Sequence, residues 1–210
     1  MKIFKNFKIP RKYFNSIILI GNFDGVHLGH QKLFRKAREF KKKYKHKIGV
    51  ITFNPIPKMF FNKKIKNFKL MNMHQKIEEF KKQNVDFLID QKFSKKFSRI
   101  KADLFIKNYL NKGIKAKFLF VSNNFKFGNK REGDINLLKF HEKNYNYKLI
   151  IPFPLKKNKK IISSTLIRKH LLNGKLHVAN KFLGKNWEIE GEVQKGRKIG
   201  SKIGFATCNI

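Results

Sequence analysis

Short runs of consecutive apolar residues alternate with longer stretches in which apolar positions recur every three or four residues. The runs at 17–23, 48–53, 87–90, 118–122 and 149–152 predict strands apolar on both faces, as in a parallel sheet covered on both sides. Between them, 30–43, 74–83, 100–111 and 134–143 carry helical patterns; in the third, Ala102, Phe105, Ile106, Tyr109 and Leu110 form one apolar face. Strand–helix alternation repeated in this way predicts an α/β fold with a doubly wound, Rossmann-like parallel sheet. In such a sheet ligands bind at the carboxyl ends of the strands. Two further helices, 165–172 and 176–182, are separated by the stop signal Asn173-Gly174.

After Gly184 the period changes. Residues 187–193 alternate polar and apolar, and Gly196, Gly200 and Gly204 follow at intervals of four. The expected division is therefore a main domain over 1–184 and the start of a β-barrel domain over 185–210. So short a β segment cannot bury a core alone.

Composition narrows the class. Twenty-three phenylalanines supply core material and argue against disorder. The single Cys208 excludes a disulfide framework and points to a reducing, cytoplasmic compartment. The longest strictly aliphatic run, 17–20, is far below the roughly 20 residues that span a bilayer, and no secretory signal follows the basic N-terminus. No membrane partner is expected.

A formal net charge of +37 would suit a polyanion partner. Yet the excess is almost all lysine, spread from Lys2 to Lys202, with only seven arginines. Specific readers of bases favour the arginine fork. Lysine is abundant here together with Asn, Ile and Phe, the bias of A/T-rich codons. The charge is thus a background field that attracts anionic substrates, and no specific nucleic acid is expected.

The candidate chemistry is concentrated at Gly21-Asn22-Phe23-Asp24-Gly25-Val26-His27-Leu28-Gly29-His30, where the first strand gives way to the first helix. Gly21, Gly25 and Gly29 allow sharp turns and close approach of backbone to a ligand. The helix start directs free N–H groups and a positive dipole end at the loop, which suits a phosphate. His27 and His30, three apart, face one side of a helical turn and can stabilise charge on a transferring phosphoryl group. Two histidines at that spacing would otherwise be surface decoration or a chance metal pair. The full string at a strand–loop–helix junction favours a nucleotide site holding Asn22, Phe23 and Asp24 with the glycines and histidines.

Further along, Ser163, Ser164 and Thr165 form a capping cluster able to hold phosphates, and Arg168 lies one turn on. Ordinary helix capping would account for them equally well. Pro55 and Pro57 set an extended loop after Asn54, where a flat ring could lie. Asn124 and Phe125 offer an amide and an aromatic face at the ligand edge of the sheet, or a core phenylalanine.

The glycine-rich string resembles the H-x-G-H signature of the nucleotidylyltransferases. Its longer form is similar to that of the bacterial FAD synthetase family, which joins an FMN adenylyltransferase to a riboflavin kinase. Thr52-Phe53-Asn54-Pro55-Ile56-Pro57, Val121 to Gly128 and Ser163 to Arg168 match that family's later blocks in order, over roughly 17–184. The sequence from Gly204 to Asn209 is similar to the kinase motif G-x-P-T-A-N.

The resemblance implies transfer of AMP from Mg²⁺-ATP to FMN. It places His27, His30 and Arg168 in catalysis, Gly21 to Gly25, Gly29 and Ser163 to Thr165 on ATP, and Asn54, Pro55, Pro57, Asn124 and Phe125 on the flavin. No protein-held metal is expected. Gly204, Thr207 and Asn209 would be a kinase remnant, and a barrel that stops at Ile210 is expected to lack riboflavin kinase activity by itself. Ile56 and Ser122 depart from the family's usual histidine and glycine, and Ala206 and Cys208 from its proline and alanine. A fully bifunctional riboflavin kinase/FAD synthase, if the chain is a fragment, a nucleotidylyltransferase for another substrate and a basic nucleic-acid binder on a degenerate fold remain rivals.

Overall fold

The computed structural model describes residues 1–65, 69–157 and 160–194. Its elements, in chain order, are β1 (Lys2–Phe4), β2 (Ile17–Ile20), α1 (Leu28–Tyr44), β3 (Ile48–Asn54), α2 (Pro57–Phe61), α3 (Met73–Lys82) and β4 (Phe87–Lys92). There follow α4 (Lys95–Ser98), α5 (Ala102–Leu104) continued as a π-helix over Phe105–Gly113, β5 (Phe118–Phe120), α6 (Ile135–Phe140) and α7 (Glu142–Tyr145). The last are β6 (Lys148–Ile150), a small antiparallel pair β7 (Lys156–Lys157) and β8 (Lys160–Ile161), then α8 (Ser164–Leu172) and α9 (Leu176–Leu183).

Six strands form one parallel sheet in the order β1-β4-β3-β2-β5-β6. From β2 the chain winds outward through β3 and β4, then returns to β5 on the other side of β2. The strand order therefore reverses between β2 and β5, and loops leaving their carboxyl ends diverge to open a crevice.

The strand pattern explains why both faces are covered. Ile18, Ile20, Ile51, Phe87, Ile89 and Leu119 face one layer, where Phe105, Ile106 and Leu110 of the π-helix and Leu138 of α6 close over them. Ile17, Leu19, Ile48, Val50, Leu88 and Phe120 face the other, against Phe34 and Ala37 of α1 and Phe80 of α3. Consecutive residues thus enter opposite cores, so the central strands β2 and β5 are continuously apolar and β3 and β4 are apolar over most of their buried length.

Gly49 lies between these layers for a steric reason. A Cβ there would come within 2.2 Å of the Phe87 ring on the neighbouring strand. Gly49→Ala is expected to destabilise the protein by about 3 kcal/mol through overpacking, read as a lower denaturant midpoint. An unchanged midpoint would mean that the Phe87 ring has somewhere else to go.

The expected strand 17–23 ends at Ile20, because the chain leaves the ladder as soon as Gly21 begins the loop. The expected helix 134–143 is two short helices broken at His141, and 100–111 is only briefly α-helical before its π-helical continuation. Residues 187–193, expected to be β-type, form no strand in the described structure. They lie instead along α3: Gln75 Nε2 donates to the Glu188 carbonyl at 3.0 Å, and His74 Nδ1 is 2.8 Å from Glu190 Oε1.

Candidate nucleotide site

The glycine-rich loop emerges from β2 beside the β2–β5 crevice and passes directly into α1. Its backbone is tight: Phe23 and Val26 both have positive φ, 48° and 39°, and Gly25 has φ 85°. A β-branched residue at positive φ is unusual, and such outliers persist where surrounding structure imposes them. Gly25 has no room for a side chain, since a Cβ would lie 2.9 Å from Leu70 Cδ1 and 3.1 Å from Leu183 Cδ2.

His27 caps α1. Its Nδ1 accepts a hydrogen bond from the His30 backbone N–H at 3.3 Å. An accepting nitrogen carries no proton, so neutral His27 bears its proton on Nε2, which is left as a donor. The His27 and His30 rings stack with centroids 3.7 Å apart and planes 17° from parallel. Gly29 permits that arrangement, because a Cβ there would press to 3.1 Å from the His27 ring.

Burial pushes the His27 imidazole down to about 4, and the nearby Arg168 guanidinium adds to the effect. His30 is held well below its ordinary value, first by desolvation and then by the charges of His27 and Lys76. Both rings are therefore neutral at pH 7. Between about 6.5 and 4 the unfolded chain takes up a proton on residue 27 that the native site refuses, so stability is complete above pH 6.5 and falls as the pH drops through this window. For His27 alone the loss is about 3 kcal/mol by pH 4. Denaturant unfolding from pH 7 to pH 4.5 should show this slope, and His27→Asn, which retains a capping oxygen, should flatten it. Parallel curves for the two proteins would exclude the buried imidazole as the cause.

Asp24 is the hub of the loop. Its Oδ1 accepts from the Leu70 N–H at 2.9 Å, its Oδ2 pairs with Arg168 Nη2 at 2.9 Å, and its carbonyl accepts from Ser164 Oγ at 2.7 Å. One buried residue thus ties β2's loop to the segment before α3 and to α8. Ser163 caps α8, accepting from the Leu166 N–H at 3.2 Å, while Thr165 is exposed.

The site residues expected from the sequence accordingly divide. His27, His30, Gly25, Gly29, Ser164 and Arg168 are brought together through Asp24 and the start of α1. Phe23 is buried, touching His30 edge-on at 5.2 Å and packing on Phe34 and Phe80, so it is a floor beneath the histidines. A Cβ at Gly21 would meet that same ring at 3.2 Å. Asn22 keeps a buried Oδ1 without a hydrogen-bond partner, as does Nδ1 of His30, leaving polar atoms for a ligand to satisfy.

Asn54 and Pro55 stand exposed at the end of β3, joined by a cis peptide bond, and Pro57 opens α2. Asn124 accepts from Ser122 Oγ at 2.9 Å, and Phe125 stacks on Phe127 at 5.4 Å. Gly204, Thr207 and Asn209 lie outside the described residues.

Sequence reasoning missed two features. One is a cluster of rings beyond the end of β3, in which Phe93 meets Phe53, Phe60, Phe61 and Phe97 at 5.2–6.0 Å. Only its proximity to Pro55 could have signalled it. The other is Lys76, a buried lysine on α3.

A family model described as FAD synthetase matches residues 10–166, three-quarters of the chain. The chain belongs to the FAD synthetase family. A second, riboflavin kinase, matches 183–210. Among curated relatives of this FAD synthetase family member are bifunctional riboflavin kinase/FMN adenylyltransferases. That of Buchnera aphidicola from Schizaphis graminum is 44% identical over 93% of this chain and 63% of its own length. That of Haemophilus influenzae is 37% identical over 92% and 63%; that of Escherichia coli K12 is 32% identical over 92% and 62%. The chain thus spans less than two thirds of those relatives. A crystal structure described as a macrolide-efflux protein from Streptococcus pneumoniae superposes with a TM-score of 0.81 at 32% identity, covering 99% of this chain and 67% of that one. Among the described residues no helix is long and apolar enough to cross a membrane.

Proposed function

We propose that this chain is an FMN adenylyltransferase. A phosphate oxygen of FMN attacks the α-phosphorus of Mg²⁺-bound ATP; the new P–O bond forms as the bond to the bridging oxygen breaks, and pyrophosphate leaves with that electron pair. FMN supplies an ionised nucleophile, so no side chain must act as base. Catalysis is then positioning and charge stabilisation.

The observation that carries this reading is the stacked histidine pair at the start of α1, beside the crevice where the strand order reverses. His27 offers its Nε2–H to the α-phosphoryl group, and His30 lies against it. Arg168, held by Asp24, and the α8 start at Ser163 to Thr165 would hold the departing phosphates. Asn22 and the glycine-rich turn would line the nucleotide. Asn54, Pro55, Pro57, Asn124, Phe125 and the Phe93 cluster would receive the flavin.

Magnesium enters with ATP as part of the substrate. The same reading divides the chain into an adenylyltransferase domain over 1–184 and part of a riboflavin kinase domain over 185–210, with a cytoplasmic location and no specific nucleic-acid partner. The test is incubation with ATP, Mg²⁺ and FMN, followed by chromatography for FAD and pyrophosphate. Absence of FAD would refute the activity; FAD formed at an undiminished rate by His27→Ala and His30→Ala would refute the roles.

A further inference from the structure

Lys76 is only 6% exposed, on the α3 face turned toward the sheet. Among the described residues it has neither a hydrogen bond nor an ion pair. Its stem is buried, yet its ammonium is not one of the fully enclosed polar atoms without a partner, so the charge stays open to a ligand. The charged groups facing it are Asp24 from the glycine-rich loop, Asp90 from β4, Lys69 from the segment before α3, and His30 from α1.

Both carboxylates are already committed. Asp24 pairs with Arg168, and Asp90 Oδ2 pairs with Lys5 at 2.8 Å. Counting those two pairs as neutral leaves the charge of Lys76 in surplus. Beside it are two further open polar atoms: Asp90 Oδ1 is buried without a partner, and so is the hydroxyl of Thr52, its register neighbour on β3. Thr52 and Asp90 lie toward the carboxyl ends of β3 and β4.

Resting on the FMN adenylyltransferase reading, we propose that Lys76 is a positioning residue for the nucleotide phosphates, supplying near His30 the surplus positive charge that draws the polyphosphate onto Asp24's partner Arg168. Its second effect falls on His30, whose protonation it opposes while the site is free of anion. Burial lowers the affinity of Lys76 itself for a proton, and Asp24 and Asp90 counter that tendency, so the lysine and the two carboxylates act as one electrostatic unit.

The test uses the whole chain with Lys76→Met and Lys76→Arg. A unit charge acting over several ångströms at the edge of a protein interior corresponds to a roughly tenfold effect on anion affinity. Lys76→Met should therefore raise the KM for ATP about tenfold with the KM for FMN within about twofold. The His30 titration, followed by the ring proton signals, should move toward the ordinary histidine value. Lys76→Arg should restore both. An unmoved ATP KM, an unmoved His30 titration, or an equal loss for FMN and ATP would overturn the proposal.

The unsubstituted protein gives a measurement that survives a variant that fails to fold. Titration with inorganic pyrophosphate should shift the Lys76 ammonium signal in ¹⁵N-lysine spectra, and saturation without a shift would also overturn it. Pyrophosphate binding that moves Lys76 in a protein that makes no FAD would separate failure of the FMN reading from failure of this one.

Discussion

Replacement of His30 by alanine is expected to lower kcat for FAD formation by about a hundred- to a thousandfold, the usual cost of losing one preorganised partner of a developing charge. The ring is neutral in the free site because it is desolvated and faces His27 and Lys76. As an anionic phosphoryl group arrives and its charge rises toward the transition state, that environment changes sign, and the pair of rings becomes the nearest stabilising group. An interaction strongest at the transition state appears in kcat more than in the KM for ATP. The structural loss is small by comparison: an edge contact with Phe23 and one face of the His27 stack. His27→Ala should fall as far in kcat and lose about 1 kcal/mol more stability, because His27 also caps α1. Steady-state kinetics with both variants decide it; a drop below tenfold in each would remove the histidines from the chemistry.

Asp24→Ala is expected to have the largest effect on stability, about 3–5 kcal/mol, with FAD formation lost as well. The size follows from what remains. Arg168 would keep its charge in a part-buried position, the Leu70 N–H would be left in a closed place, and the turn bearing Gly25 and Val26 would lose its anchor. Asp24→Asn keeps the acceptor for Leu70 and loses only the charge, so it should fall between alanine and the parent in a thermal melt. If the alanine protein melted with the parent, the three-way tie of the loop to the Leu70 segment and α8 would be idle.

The sheet was legible in the chain because strands buried on both faces need largely apolar runs, and those expected at 17–23, 48–53, 87–90, 118–122 and 149–152 each overlap a strand. β1 was not: three residues, Lys2 to Phe4, become a strand only by pairing with β4 some 85 positions away. α2 escaped because Pro57 read as part of an extended loop, whereas at the first helical position its missing N–H costs nothing. The break at His141 was likewise hidden, since an amphipathic pattern continues across it.

Within the candidate site, the histidines, glycines and serines announced themselves by type and spacing. Lys76 did not, for one lysine among so many is ordinarily solvated, and nothing in the string around it marks the face it turns inward. The loop holding Phe23 and Asp24 was legible, but not that Phe23 packs beneath His30 or that Asp24 pairs with Arg168.

The chain by itself determined the periodicities, the order of strand and helix, and the helix start that carries two histidines, because each depends on neighbours within a few residues. Only the folded structure decided that Arg168 meets Asp24 across 144 positions, that two imidazoles stack as neutral rings, and that one lysine side chain is buried near His30. Charge state and pairing depend on which distant groups share a desolvated space, and that is set by packing rather than by local sequence.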